Sequence, residues 1–207
     1  MASLPPGFAQ PSEAGRVYLT FDDGPDARWT PRILDILAQA NVCATFFVVG
    51  RFALDQAALV RRAAANGHEL GNHTWSHRHP WTVRESTARK EVQDGAAAIA
   101  DIIGRAPKFF RPPHGRWRRC MIDEAERGGQ TLVLWNHSAV DWGPLGSARR
   151  VANRLSAAQA GDIVLMHDGG RGINHPEELV KVLPAFLSNL SRRGLVPSLL
   201  PVERTRQ

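Results

Sequence analysis

The amino-acid sequence predicts an α/β protein with a largely parallel sheet or barrel. Short apolar runs alternate with segments of helical periodicity, the pattern of strands connected by helices. Polar clusters follow several of these runs, as expected where parallel strands end near a ligand. The chain has 207 residues, 43% of them hydrophobic, and is long enough to bury one core. We therefore expect one domain over residues 1–207, with loose ends at 1–15 and 203–207.

Seven short apolar runs are predicted as the strands of this sheet. They are residues 17–21, 44–49, 69–72, 109–111, 131–135, 162–167 and 196–200.

Helices are predicted between the strands. Thr30-Pro31 supplies an N-cap and a proline at the first helical position, so a helix begins there. A capping box from Thr82 to Glu85 predicts the start of a long helix, and residues 174–176 start the last one. The long helix is predicted to turn one apolar face inward, formed by Val92, Ala96, Ile99 and Ile103.

Five polar clusters fall at predicted strand ends. In parallel α/β architectures the ligand lies at the carboxyl ends of the strands, so we expect these clusters to converge on one rim. They are Asp22-Asp23, residues 73–77, residues 111–115, Asp141-Trp142 and His167-Asp168.

Composition and charge bear on which partners and which cellular compartment we expect for the protein. The formal charge of +6 and pI near 10.3 come from Lys and Arg residues that are scattered singly or in pairs, so we expect no nucleic-acid partner. No apolar run approaches the roughly 18 residues of a membrane span. The first residues lack the basic and apolar regions of a signal peptide, which predicts a soluble, cytoplasmic protein, or a secreted or periplasmic one if a signal peptide has been removed. The sequence does not indicate an oligomeric state.

The stretch "TFDDGP" places two aspartates at the end of an apolar strand. A turn explains Asp-Gly-Pro, but it does not require the second aspartate. Adjacent carboxylates disfavour each other's ionisation unless a cation or hydrogen bonds stabilise them. The pair therefore indicates a positive partner.

The stretch "HTWSH" supplies two metal-ligand candidates, His73 and His77, whose spacing of four predicts one face of a helical turn. Two unrelated surface histidines would explain this motif alone. With a carboxylate from the aspartate pair, however, two imidazoles make the three-ligand form of a catalytic zinc site. We assign Asp23 to one divalent metal and Asp22 to general base. Zinc is the first choice, and cobalt, nickel or manganese would also fit the ligand set.

Five motifs, "TFDDGP", "HTWSH", "RPPHG", "DW" and "LMH", closely resemble in order those of the polysaccharide deacetylases, carbohydrate esterase family 4, over residues 16–200. The resemblance implies a distorted, incomplete (β/α) barrel of about seven mostly parallel strands. It also implies metal-dependent removal of acetyl groups from an acetylated glycan. The usual substrates are N-acetylglucosamine units of chitin, chitooligosaccharides or peptidoglycan, and sometimes O-acetyl groups on xylan.

The resemblance also implies residue roles. Asp22 corresponds to the base, and Asp23, His73 and His77 correspond to the metal ligands. Arg111 corresponds to the arginine that holds the base, and Trp142 and Leu165 correspond to the walls of the acetyl pocket. His167 corresponds to the general acid, and Asp141 corresponds to the carboxylate that orients it.

Chemistry gives these groups matching tasks. A metal lowers the pKa of a bound water and polarises the acetyl carbonyl, and Asp22 accepts the water's proton. The oxyanion needs donors, and we expect the backbone N–H of His114 to supply one. His167 then protonates the departing amine, a poor leaving group.

The chain departs from the family pattern at two positions. His114 stands where relatives usually have tyrosine, and Ser138 lies where many have another aspartate. The glycine-rich loop after His167 is predicted to be mobile enough to cover a substrate. Two alternatives stay open: an O-acetyl esterase acting on xylan with the same site, and a non-catalytic carbohydrate-binding domain. Acetate release from chitooligosaccharides and from acetylated xylan would separate them.

Overall fold

A computed structural model describes residues 15–201 of the chain. The loose ends predicted for 1–15 and 203–207 lie outside the described residues, except for Gly15. None of the helices in this part of the chain combines the length and the apolar character needed to cross a bilayer.

The described residues form one curved sheet in which all strand pairs are parallel. The strand order is β5-β4-β3-β2-β1-β7-β6, and β8 pairs with the start of β1. Strands β5 and β6 are the two ends of this order, so the barrel stays open between them. This confirms the incomplete (β/α) barrel. The strands are β1 (Arg16–Asp22), β2 (Thr45–Val48), β3 (Glu69–Asn72), β4 (Phe109–Phe110), β5 (Thr131–Leu132), β6 (His137–Ser138), β7 (Ile163–His167) and β8 (Val196–Ser198).

Seven α-helices connect the strands in the described part of the chain, and 3-10 turns lie at Pro80–Thr82, Pro113–Gly115 and Gly143–Leu145. The helices are α1 (Thr30–Gln39), α2 (Gly50–Asp55), α3 (Ala57–Ala65), α4 (Glu85–Ile103), α5 (Arg119–Arg127), α6 (Ala148–Ser156) and α7 (Pro176–Arg192).

Alternation along β1 separates the core from the site. Val17, Leu19 and Phe21 pack in the cluster that contains the apolar faces of α1 and α7. Tyr18 belongs instead to a second cluster, which includes Phe47. Because successive side chains of a strand point to opposite faces, Thr20 and Asp22 share the face of Tyr18. The strand therefore delivers a polar pair to the end of the barrel's interior.

Several sequence predictions need correction. Thr30 is the first residue of helix α1 rather than its N-cap, which is Trp29. The capping box is wrong: Thr82 belongs to a 3-10 turn, and its hydroxyl donates to the carbonyl of His79 at 2.9 Å. Helix α4 begins after Arg84 without a side-chain cap. The predicted strand 131–135 is also too long, because the carbonyls of Val133 and Leu134 accept hydrogen bonds from the Arg111 side chain.

Gly95 allows helix α4 to approach the end of β3. A Cβ atom at this position would lie 2.4 Å from Oδ1 of Asn72 and 2.6 Å from the backbone carbon of Thr74. Asn72 is fully buried and uses this oxygen to accept from the backbone N–H of Thr74. The contact thus fixes the start of the loop that follows β3.

We predict that Gly95→Ala destabilises the protein by about 1–3 kcal/mol, the usual cost of overpacking. Without the contact, alanine would stabilise a helix interior by roughly 0.5–1 kcal/mol relative to glycine. The sign of the change in unfolding free energy therefore shows whether the contact exists. Urea unfolding measures the effect. Ala97→Gly, at an exposed position of the same helix, is the control and should cost about 1 kcal/mol. A more stable Gly95→Ala variant would contradict the tight approach.

Candidate active site

The centre of the site is an ion pair between Asp22 and Arg111. Asp22 ends β1, and its Oδ1 accepts a hydrogen bond from Nη1 of Arg111 at 2.7 Å. The same Nη1 donates to the hydroxyl of Thr20 at 2.8 Å. Asp22 is 3% exposed and Arg111 is fully buried. A buried charge is tolerated when its partners satisfy it, so these contacts hold the carboxylate in one orientation.

The remaining guanidinium donors are also used. Nε and Nη2 of Arg111 donate to the carbonyls of Val133 and Leu134 at 3.2 and 3.1 Å, and the group lies 4.0 Å from the ring centre of Phe47. The side chain therefore cannot turn away from Asp22 without losing several buried hydrogen bonds.

Asp23, His73 and His77 form a compact cluster beside this pair. Oδ1 of Asp23 lies 3.2 Å from Nε2 of His73 and 3.0 Å from Nε2 of His77. Candidate ligand atoms of the three residues lie within 4.8 Å of one another. The two histidines converge without the helical turn that their spacing predicts. Residues 73–77 form a loop in which Thr74 and His77 have φ values of 66° and 58°.

The cluster fits a cation. Nδ1 of His73 lies 2.6 Å from the carbonyl oxygen of Arg111, which can only accept, so Nδ1 carries a proton and Nε2 is the nitrogen left unprotonated in the neutral ring. Nε2 then directs a lone pair at Oδ1 of Asp23. That oxygen is buried and accepts no well-formed hydrogen bond from the described residues. Converging electron pairs of two imidazoles and a carboxylate suit zinc, cobalt or a related divalent metal.

The local charges favour the deprotonated carboxylate. Burial alone would raise the pKa of Asp23, but His73 and His77 together hold it well below its usual range. Burial would also lower the pKa of His73, whereas the charges of Asp22 and Asp23 raise it. A proton and a metal ion therefore compete for Nε2 of His73.

Asn174 orients the carboxylate of Asp23, and sequence reasoning missed this role. Its Nδ2 donates to Oδ2 of Asp23 at 2.6 Å and to the carbonyl of Gly169 at 3.1 Å. Asn174 also forms an isolated antiparallel bridge with Trp142. In the sequence analysis, Asn174 was noted only as part of the predicted start of the last helix.

His167 and Asp141 form a second buried pair. Nδ1 of His167 lies 2.9 Å from Oδ1 of Asp141, and the backbone N–H of His167 donates to Oδ2 at 2.8 Å. Burial would lower the pKa of His167, but the charge of Asp141 and its hydrogen bond raise it to about 9. The imidazole is therefore protonated at neutral pH.

A cavity of about 520 Å³ brings the predicted side chains together. Leu165 is buried in its wall, and Trp142 is 42% exposed there. Arg111 and Asp141 lie behind the wall, where they form hydrogen bonds with Asp22 and His167, respectively. The lining residues that had been predicted are Asp22, Asp23, His73, His77, His114, Trp142, Leu165 and His167.

His114 lies in the left-handed region at φ 58° within the turn Pro113–Gly115. Its ring packs against His77 and stacks on His79, with centroid distances of 4.7 and 5.3 Å. Burial lowers the pKa of His114, as do the charges of His77 and His79, so the ring is neutral at pH 7. The side chain at this position is therefore a neutral imidazole.

Backbone strain concentrates around this cavity. Left-handed φ values of non-glycine residues cost free energy and persist where surrounding contacts impose them, often at functional sites. In the described part of the chain, all such residues except Asn41 belong to the loops of the site: Asp23, Thr74, His77, His114 and Val140.

The loop after His167 is tethered at its second half. The backbone N–H of Gly143 donates to the carbonyl of Ile173 at 2.7 Å, and that of His175 donates to Asp141 at 2.8 Å. With the Asn174 contacts, these bonds tie the loop to the walls of the cavity. The predicted mobility of this loop stays a prediction for the tip near Gly170–Gly172.

Comparison with known proteins identifies one family model and relatives whose names agree with it. The sequence model described as polysaccharide deacetylase matches residues 9–133. The chain is 34% identical over 202 residues to a peptidoglycan-N-acetylglucosamine deacetylase of Bacillus cereus, covering 97% of this chain and 74% of the relative. It is 36% identical over 194 residues to a chitooligosaccharide deacetylase of Bradyrhizobium sp., covering 89% of each. These matches confirm the resemblance drawn from the five motifs.

A solved structure agrees with these relatives. A family 4 acetyl xylan esterase of Clostridium thermocellum, in complex with a cobalt ion, is similar at a TM-score of 0.76 and 36% identity, covering 89% of this chain and 88% of that chain.

We predict that Asn174→Ala weakens zinc binding about 10- to 100-fold, the usual effect of losing a residue that orients a metal ligand. Competition with a chromophoric chelator measures the affinity. Asn153→Ala, at an exposed position of α6, is the matched control and should leave it unchanged. Equal affinities of the two variants would contradict the orienting role.

We also predict that His167 titrates near pH 9 and that Asp141→Asn moves its pKa down toward the ordinary value of about 6.5. Because the pKa of His167 is raised in the folded state, the His167–Asp141 pair makes its full contribution to stability below about pH 6.5. This contribution is lost as the pH rises through about 9. NMR titration of the imidazole signals and unfolding at several pH values measure both effects. An unchanged titration in Asp141→Asn would rule out the pairing as the cause.

Proposed function

Because the chain belongs to the polysaccharide deacetylase family, we propose that it removes acetyl groups from N-acetylglucosamine units of a glycan of the chitooligosaccharide or peptidoglycan type. One observation carries the proposal: a cavity joins the Asp-His-His cluster, an aspartate held by a buried arginine, and a protonated histidine. The names of the Bacillus and Bradyrhizobium relatives support this substrate class.

Asp23, His73 and His77 would hold one divalent cation, with zinc as our first choice and cobalt, nickel or manganese as alternatives. When bound, such a cation lowers the pKa of water and polarises the acetyl carbonyl.

Asp22 acts as the general base in this mechanism. Arg111 holds Oδ1, and Oδ2 faces the cluster at 3.7 Å from Nε2 of His73. Oδ2 is therefore the oxygen placed to accept the proton of the attacking water.

The carbonyl carbon becomes tetrahedral as water adds, and its oxygen gains negative charge. The backbone N–H of His114 is the proposed donor to that oxygen, because the 3-10 turn Pro113–Gly115 fixes the backbone at the cavity. Trp142 and Leu165 supply the apolar surface for the acetyl methyl group.

His167 acts as the general acid. With a pKa of about 9 it carries its proton at neutral pH, and it transfers that proton to the nitrogen as the C–N bond breaks. The products are acetate and the free amine. Asp141 keeps the imidazole in position through Nδ1 and stabilises its positive charge.

An O-acetyl esterase is the second candidate, favoured by the similarity to the Clostridium thermocellum acetyl xylan esterase. The protonated His167 favours the amide, since an amine needs a proton to leave and an alkoxide depends on it less. Acetate release from chitooligosaccharides compared with acetylated xylan decides between them. No release from either by zinc-loaded protein would favour a non-catalytic glycan-binding domain.

We predict that Asp22→Asn retains zinc but lowers the rate of acetate release by roughly two to four orders of magnitude. The amide oxygen of asparagine still accepts a hydrogen bond from Arg111, but the side chain no longer takes up a proton. Acetate release and zinc content are measured on the same preparation. Normal activity would refute the assignment of the base.

His73→Ala separates the base from the metal site. We predict that this variant loses zinc and activity together, because it removes one ligand of the cluster. Activity that survives strong chelation in the wild-type protein would show that the cluster holds no catalytic metal.

A further inference from the structure

Arg51 and Arg171 are unexplained by the mechanism, although both line the cavity of the site. Both are exposed, and within residues 15–201 neither forms an ion pair or a side-chain hydrogen bond. Their guanidinium carbons lie 4.5 and 3.8 Å from the ring centre of the same residue, Phe52. Stacking uses the face of a guanidinium and leaves the N–H edges free to donate.

Arg51 contacts the loop that carries two candidate metal ligands, and Arg171 lies in a loop that contacts Asp23. The backbone N–H of Arg51 donates to the carbonyl of Trp75 at 3.0 Å, inside the loop 73–77. Arg171 lies between Gly169 and Asn174, two residues joined by a hydrogen bond, and Asn174 also contacts Asp23. The two guanidinium groups therefore lie beside the cluster at which the acetylated sugar reacts.

The charges of these arginines are not balanced within the cavity. Its only acidic lining residues in the described part of the chain are Asp22 and Asp23. Arg111 forms an ion pair with Asp22, and the imidazoles of His73 and His77 contact Asp23. Two guanidinium groups at this wall thus face the cavity without a carboxylate of their own.

We propose that Arg51 and Arg171 form a subsite for a carboxylate carried by the glycan next to the acetylated sugar. The inference rests on the proposed function, and it selects an acidic, peptidoglycan-type strand over a neutral chitooligosaccharide. Guanidinium groups bind carboxylates through paired N–H donors, whereas a neutral sugar offers only hydroxyl and amide groups to them.

Three tetrasaccharides of equal length test the subsite. One alternates N-acetylglucosamine with N-acetylmuramic acid and has free lactyl carboxylates, the second has the same lactyl groups amidated, and the third is chitotetraose. Calorimetry measures their binding to zinc-loaded Asp22→Asn protein, in which turnover is suppressed. We expect the acid to bind roughly three- to tenfold more tightly than the amide or chitotetraose, the size of an exposed to half-buried ion pair.

Arg51→Gln, Arg171→Gln and the double variant should remove this preference and leave chitotetraose binding within about twofold. Arg32→Gln is the matched control, because Arg32 also stacks on an aromatic ring, that of Trp29, but does not line the cavity. Raising the salt concentration on the protein with intact arginines should weaken binding of the acid and not of the neutral sugars. This measurement does not depend on how the variants fold.

The outcomes separate the two proposals. Equal binding of acid and amide, or a preference that survives in the double variant, would overturn the subsite. Acetate release by the wild-type protein from the same sugars tests the deacetylase activity independently. Loss of the preference in Arg32→Gln as well would attribute it to overall positive charge and would also overturn the subsite.

Discussion

Arg111 is the residue on which the geometry of the site depends, because its two ends orient different parts of the machinery. Its side chain fixes Oδ1 of Asp22, and its backbone carbonyl sets the tautomer of His73. The proposed base and one candidate metal ligand are therefore positioned by one buried residue that follows β4. A lysine there would keep the charge but lose most of these hydrogen bonds, because it lacks the planar set of donors.

The open barrel explains how such distant residues meet. Strand β1 pairs in parallel with both β2 and β7, in a register that places Asp22 beside Phe47 and His167. The carboxyl ends of these strands share one rim, so the proposed base and the proposed acid come from adjacent strands. The intervening segments can vary as long as the strand ends keep this register.

The sequence predicted which residues gather at the cavity better than it predicted the backbone geometry that brings them together. Asp22, Asp23, His73 and His77 were identified because carboxylates and imidazoles follow apolar runs, whereas the other site residues came from the resemblance of the five motifs to a family. The role of Asn174 was not predictable, since it contacts Asp23 across 151 positions and its type is ordinary at a helix start. The short β6 also escaped notice, because His137 and Ser138 have no strand-like pattern. The helical spacing of His73 and His77 gave the right pair for the wrong reason, as left-handed loop residues bring them together.

Two buried aspartates beside the cavity show how the surroundings assign charge. Burial raises the pKa of both Asp23 and Asp168, but two imidazoles face Asp23 and reverse the effect. Among residues 15–201, the hydroxyl of Thr30 is the only side-chain donor to Asp168, at 2.5 Å, and the charges of Asp23 and Asp22 raise its pKa further, to about 7. With a pKa of about 7, Asp168 is only partly ionised at neutral pH, and its hydrogen bond with Thr30 connects helix α1 to the loop after β7. Asp22, Asp23 and Asp141 each have a basic side chain beside them, whereas Asp168 has none among the described residues, and burial therefore raises its pKa.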